Sequence, residues 1–395
     1  MIIRHEKYNH MMRLYKMNEL CEIKNKLNRN YKLLKIIFSN TFLFIYLFIQ
    51  KDIKKDSAHI LFNNKKRVGV TCLQNSQNVG NILVKYAMLK KLEEFGFNAT
   101  ILVPANSEKC ESYFTNKTIN SNLFIIKNNY SEELQQRNFD YLMVNSDQTW
   151  AFSSWKYFYD VGFLRFAKTW EVKKFVYGAS IGKDKWNYNK NNEEEMKKLL
   201  TNFTGISYRE IGLVKLVEKH LGLKGVFVLD PTLIIDKQYY LNEIKDYKGD
   251  FNSNENFIFV YQLDNNTIIQ NVIKDIRNRL NYKINKFEFD KKDNIESFIF
   301  GISKCQAVIT DSYHGTIFSI IFNKPFITFI NKYRGKGRFD SLIEVFNLNN
   351  RIIDLSKNIK ININLLKNKP NINRTLLNHL RNFSLNYLKK NLDIL

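Results

Sequence analysis

From residue 68 onward the chain alternates short, unbroken apolar runs with longer amphipathic stretches, and this alternation restricts its fold more than any other feature. Residues 68–73 (VGVTCL) read as a strand and 74–81 as a polar turn. A helix of about fifteen residues follows, with Leu83, Tyr86, Ala87, Leu89 and Leu92 on its inner face. Gly96 ends it, and a second strand over 98–103 stops at Pro104. Further runs at 141–145, 174–179, 205–208 and 226–229 also read as strands. A run without polar alternation is apolar on both faces, as a parallel sheet covered by helices on both sides requires.

A polar stretch rich in Asp, Lys and Tyr at 231–255 reads as a connection containing a helix, and the alternation then resumes. Strands are expected at 256–262, 282–287, 307–310 and 326–330, and helices at 267–280, 295–303 and 316–322. A last helix near 375–390 is expected to pack back on the body. The economical α/β architecture is two Rossmann-type, doubly wound domains facing a cleft. They cover 67–235 and 256–355, joined by 236–255, with a basic helical arm at 1–66 and a helical tail at 356–395.

The formal charge of +23 invites a nucleic-acid partner, but Lys outnumbers Arg about three to one and no basic-aromatic motif accompanies it. Such usage fits an AT-rich genome, so no nucleic-acid partner is expected. Residues 1–67 hold 15 basic and 5 acidic side chains, a net +10. Beside them, 36–49 (IIFSNTFLFIYLFI) is an apolar run whose helical rise of about 21 Å falls short of a bilayer core of about 30 Å. A peripheral anchor at an anionic membrane surface, a short span and a helix buried on the first domain all remain open. Cys21, Cys72, Cys110 and Cys305 lie at least 38 residues apart, with no spacing for zinc, an iron–sulfur cluster or a disulfide framework. No metal or cofactor is expected, and a reducing cytoplasm fits, with the inner membrane face as a further site.

In open parallel sheets ligands bind beyond the carboxyl ends of the strands, so polar residues directly after strands carry the functional information. Four segments qualify. Asn78-Val-Gly80-Asn81 joins the first strand to its helix, where a glycine admits close approach and free N–H groups attract anions. Asn145-Ser146-Asp147-Gln-Thr-Trp150 places an aspartate where it can orient or deprotonate a sugar hydroxyl. Ser207-Tyr-Arg209-Glu210 offers a guanidinium fork for phosphate or carboxylate. Thr310-Asp-Ser312-Tyr-His314-Gly315-Thr316 sets a histidine among hydroxyls at a strand–helix turn. Each also has a purely structural reading: an N-cap, a turn, an Arg209–Glu210 ion pair and a capping cluster, respectively.

Taken together and in this order, these segments resemble the polysaccharide pyruvyl transferase family. The similarity also includes KKFVYGASIGKDKW, VLDPTLII and GRFDSLIEVFNL, and it spans residues 68–348. It implies a GT-B-like fold and transfer of pyruvate from phosphoenolpyruvate onto two hydroxyls of a sugar or lipid-linked oligosaccharide, forming a cyclic ketal. It further implies that Arg209 and His314 handle phosphoenolpyruvate and that Asp147 acts as base near the acceptor. Ser312 stands where the family resembles arginine, and Lys332, Arg334 or Arg338 are candidate substitutes. Two other readings remain: a GT-B glycosyltransferase using a nucleotide sugar, and a non-catalytic partner in glycan assembly.

Overall fold

The computed structural model describes residues 65–73, 78–104, 113–126, 132–152, 155–183, 185–249, 256–280, 282–289, 294–330, 335–357 and 361–395. The expectations for residues 1–64, with the apolar run 36–49, and for Lys332 and Arg334 lie outside the described residues. The first part of the chain contains β1 (Arg67–Thr71), α1 (Val79–Glu94), β2 (Asn98–Pro104), α2 (Tyr113–Thr118), β3 (Leu123–Ile126), α3 (Glu132–Gln135) and β4 (Tyr141–Val144). It continues through α4 (Trp155–Gly162), β5 (Lys173–Val176), α5 (Lys190–Leu200), β6 (Ser207–Tyr208), α6 (Ile211–Leu221) and β7 (Val226–Phe227). After α7 (Pro231–Ile234) and α8 (Lys237–Glu243) come β8 (Phe257–Tyr261), α9 (Thr267–Leu280), β9 (Lys283–Phe287), α10 (Ile295–Lys304) and β10 (Ala307–Thr310). The last elements are α11 (Tyr313–Ile321), β11 (Phe326–Ile330), α12 (Gly337–Phe346), β12 (Ile352–Asp354) and α13 (Arg374–Asn391).

The uninterrupted apolar runs become strands buried along their length: β4, β8, β10 and β11 are buried at every position. They pair in parallel into two five-stranded sheets, β3-β2-β1-β4-β5 and β9-β8-β10-β11-β12. Backbone bonds from Val176 to Gly205 (2.9 Å) and from Ala179 to Ser207 (3.0 Å) continue the first sheet onto the β6–β7 pair. Strand order reverses between β1 and β4 in one sheet and between β8 and β10 in the other. These are the switch points at which doubly wound sheets open a crevice.

One apolar core runs from the first sheet (Val70, Met143) through α1 and α7 to the second (Phe259, Val308). Helix α1 is buried nearly all round because it packs on its own sheet and also on α7 and α11. Helix α13 returns to the first sheet. Ser384 Oγ accepts from the Leu229 N–H (2.9 Å), and the Tyr387 hydroxyl donates to the Val176 carbonyl (2.7 Å).

Several elements differ from expectation for identifiable reasons. The strand expected to reach residue 179 ends at Val176, because Gly178 adopts a left-handed φ of 65°. The helix expected from 316 starts at Tyr313, because Ser312 caps it through the Gly315 N–H (3.3 Å). Strands β3 and β12 were not expected; they are short strands of 4 and 3 residues, LFII and IID, beside Asn-rich segments.

Arg351, buried at the rim of the second sheet, donates to the carbonyls of Phe326, Leu365, Asn368 and Lys369 at 2.7–3.2 Å. Arg351→Met orphans these acceptors and is expected to cost about 3 kcal/mol. The check is a lowered denaturant midpoint at unchanged slope.

Candidate active site

The site starts at the N-terminus of α1. Asn78 Oδ1 accepts from the N–H groups of Gly80 (2.9 Å) and Asn81 (3.2 Å), so its side chain is spent on capping. Gly80 is there for space: a Cβ on it would lie 1.9 Å from His314 Nδ1. Asn81 relays the helix to the next strand end. Its Oδ1 accepts from the buried Lys85 ammonium (2.6 Å) and its Nδ2 donates to Asp147 Oδ2 (3.1 Å).

Asp147 follows β4 with a φ of 99°, a left-handed conformation costly for a residue with a side chain. Fixed bonds hold it there. Oδ1 accepts from the Gln148 N–H (2.8 Å) and from Arg209 Nη2 (3.0 Å), while Oδ2 takes Asn81. Burial opposes its ionisation, but Arg209, His314 and the bonds from Asn81 and Gln148 outweigh it and hold the carboxyl below its usual range.

Arg209 leaves the end of β6 and is 1% exposed. Its Nη1 donates to Asp230 Oδ2 (2.7 Å) and its Nη2 to Asp147, while the guanidinium lies 5.0 Å from the Tyr313 ring centre. Burial works against the charge, yet Asp147 and Asp230 raise its pKa above the usual value. Asp230 caps α7 through the Thr232 N–H (3.0 Å) and hydroxyl (2.7 Å). Burial disfavours its charge, but His314, Arg209 and Thr232 depress its pKa strongly.

The second sheet supplies the remainder. His314, 6% exposed, has its Nε2 3.7 Å from Asp230 Oδ2 and without a hydrogen bond. Gly315 packs where a Cβ would be 2.4 Å from Thr310 Oγ1, so its absent side chain lets α11 leave the strand closely. Arg338, in the first turn of α12, lies 5.3 Å from the Tyr313 ring centre and 3.2 Å from the Gln148 side-chain oxygen with that amide oriented to accept. Burial lowers its pKa first, and repulsion from Arg209 lowers it further.

Asn78, Gly80, Asn81, Asp147, Arg209, His314 and Arg338 therefore meet in one place. Ser146, Ser312 and Gly315 shape the backbone beside it: Ser146 Oγ donates to the Gly178 carbonyl (2.7 Å), and Ser312 caps α11. The alternative reading of an Arg209–Glu210 ion pair is not met, since Arg209 takes the two aspartates and Glu210 accepts from Ser180 Oγ. Sequence reading missed Asp230, Tyr313 and Lys85. Only Asp230 carried a local signal, as an Asp before Pro231 at a helix start. Among the described residues no cluster of His, Cys, Asp and Glu is arranged to hold a metal ion.

A family model described as polysaccharide pyruvyl transferase matches residues 78–333. The chain belongs to this family. The matched span contains every residue of the constellation except Arg338. No curated sequence matches the chain significantly. A Listeria monocytogenes structure described as a UDP-N-acetylglucosamine 2-epimerase aligns with a TM-score of 0.50 at 12% identity, covering 82% of this chain and 94% of its own. The S. aureus MnaA–UDP structure aligns with a TM-score of 0.50 at 13% identity, covering 84% of this chain and 98% of its own. At such identities the likeness shows the fold alone, which is GT-B-like.

Two outcomes test this geometry. Gly80→Ala is expected to displace His314 and to lower any activity of the site far more than the melting temperature. Asp147 and Asp230 both titrate lower in the folded protein than in the unfolded chain. Their stabilisation is therefore complete above the unfolded value near about 4 and fades as pH falls below it. Asp230→Asn is expected to destabilise the protein at neutral pH and flatten this acid limb, read by melting curves between about pH 3 and 7.

Proposed function

We propose that this family member transfers pyruvate from phosphoenolpyruvate onto two hydroxyls of a saccharide, forming a cyclic ketal during polysaccharide synthesis. The observation that carries the reading is His314: a buried imidazole with an unbonded Nε2, held at the meeting of both sheets against Gly80 and beside an ionised Asp230. Protonation of the donor's methylene gives a methyl group and an electrophilic carbon. Two acceptor hydroxyls add to that carbon and phosphate leaves. One hydroxyl proton balances the new methyl group and the other departs with phosphate.

In this mechanism His314 moves the protons and Asp230 steadies the imidazolium. Asp147 is ionised but weakly basic, so it orients an acceptor hydroxyl by accepting its hydrogen bond. Arg209 has both its Nη groups committed to carboxylates and acts as a positioning group. Arg338 meets the donor's negative charge, and a bound anion relieves its repulsion from Arg209. The arm's charge and apolar run support a membrane-surface location for the acceptor chemistry. Among the described residues no helix is long and apolar enough to cross a membrane.

Incubation with phosphoenolpyruvate and a panel of lipid-linked and nucleotide-activated sugars is expected to release phosphate and add pyruvate to the acceptor. His314→Ala is expected to lower kcat/KM about a thousandfold. Release of UDP from a nucleotide sugar with indifference to phosphoenolpyruvate refutes the proposal in favour of glycosyl transfer. The full chain is also expected to sediment with anionic vesicles at low salt and to come off as salt rises. Its recovery in the supernatant at low salt overturns the membrane address.

A further inference from the structure

A cavity of about 750 Å³ opens beyond the carboxyl ends of β8 and β9, lined in part by Asn78, Gln262, Asp264, Gln270, Lys286 and Glu288. None of these except Asn78 takes part in the constellation around His314. From this lining we infer that the cavity is a binding subsite for a neutral stretch of saccharide, the part of the acceptor that is not pyruvylated. The assignment rests on the proposed function, since it takes the acceptor to be a sugar chain.

Charge decides the ligand class. Among the described residues the lining includes two carboxylate residues, Asp264 and Glu288, one lysine, Lys286, and no arginine. A nucleoside diphosphate or phosphoenolpyruvate brings two to three negative charges and needs a cluster of cationic forks, which the described lining does not offer. A sugar ring brings hydroxyls, each both donor and acceptor, and needs partners of both kinds. Side-chain amides supply both, carboxylates accept and the ammonium donates. Phe289, on the same wall, adds an aromatic face for the apolar side of a ring.

The polar lining is ordered before any ligand arrives. Lys286 Nζ donates to Gln270 Oε1 (3.1 Å), Gln270 Nε2 to Gln262 Oε1 (2.7 Å), and Gln262 Nε2 to the Asp264 carbonyl (2.7 Å). This rail fixes each amide's orientation, so little rotamer freedom is left to lose on binding. The loop at the rim is tied to the reacting centre. Asp311, next to Ser312, accepts from the N–H groups of Leu263 (2.6 Å) and Asp264 (3.2 Å). Asn78 lines the cavity and also caps α1 at Gly80, against which His314 packs. A chain seated here leads directly to the site of transfer.

Gln270 at the centre of the rail provides the test. Binding of cellotriose, chitotriose, laminaritriose, UDP and UDP-glucose to the full chain is followed by saturation-transfer NMR, with melting curves to confirm that each variant is folded. At least one trisaccharide is expected to bind, UDP is not expected to compete, and Gln270→Trp is expected to abolish binding by breaking the amide rail and obstructing the cavity at its centre. Gln270→Ala is expected to weaken it about tenfold and to raise the acceptor KM alike, with the KM for phosphoenolpyruvate retained. The subsite is overturned if no trisaccharide binds, if UDP displaces it, or if folded Gln270→Trp binds as the parent does. Normal phosphate release with an unchanged acceptor KM in Gln270→Trp removes the subsite and leaves pyruvyl transfer standing. Trisaccharide binding lost in Gln270→Trp, with no phosphate release by the parent, sustains the subsite and removes pyruvyl transfer.

Discussion

A guanidinium almost wholly withdrawn from water persists only where its partners are fixed around it, and Arg209 sets that condition for the whole site. Its two carboxylates come from different strand ends, Asp147 after β4 and Asp230 after β7. Each carboxylate in turn reaches another element. Asp147 takes Asn81 on α1, and Asp230 caps α7 and faces His314 on α11. The charges must be paired, so these elements must come together. The left-handed backbone at Asp147 is tolerated because the bonds to its carboxylate over-determine its position.

This constraint also redistributes chemical roles. An arginine at the end of a strand looks like an anion binder in sequence, and in the fold both of its Nη groups donate to carboxylates. Glycine at position 80 looks like a phosphate-loop residue, but the structure requires it because the His314 ring occupies the volume of a side chain. Among the described residues a second guanidinium, Arg338, on a helix of the other sheet, shares the Tyr313 ring with Arg209.

Much of the fold could be read from sequence because parallel strands buried on both faces leave continuous apolar runs, and the strand ends could be read because polar residues follow them at once. His314, Asp147 and Asn81 were all found this way. Asp230 and Tyr313 were not, because their roles depend on Arg209, 21 residues away from Asp230 and still farther in sequence from Tyr313, on a helix beside the other sheet. Lys85 was invisible for the opposite reason. A lysine within an amphipathic helix reads as solvent-facing, and only the burial of α1 between the sheet, α7 and α11 places its ammonium inside. The strands β3 and β12 were lost because runs of four and two apolar residues beside asparagines do not stand out in an Ile- and Asn-rich chain.

The serine at position 312 illustrates how a departure from the family's pattern is absorbed. Serine there caps α11 through Gly315, which leaves the positive end of that helix at His314, directly against the first turn of α1 at Gly80. Two helix N-termini thus abut at the imidazole, and the strongly ionised Asp230 is the internal anion beside it. An arginine at 312 would add a mobile cation. Among the described residues the field there is built from fixed backbone dipoles and from Arg338, a side chain held between Tyr313 and Gln148. Fixed dipoles need no reorganisation when charge develops, which is the property that lowers a barrier. On the pyruvyl-transfer reading, losing the arginine therefore exchanges a flexible charge for a preorganised field.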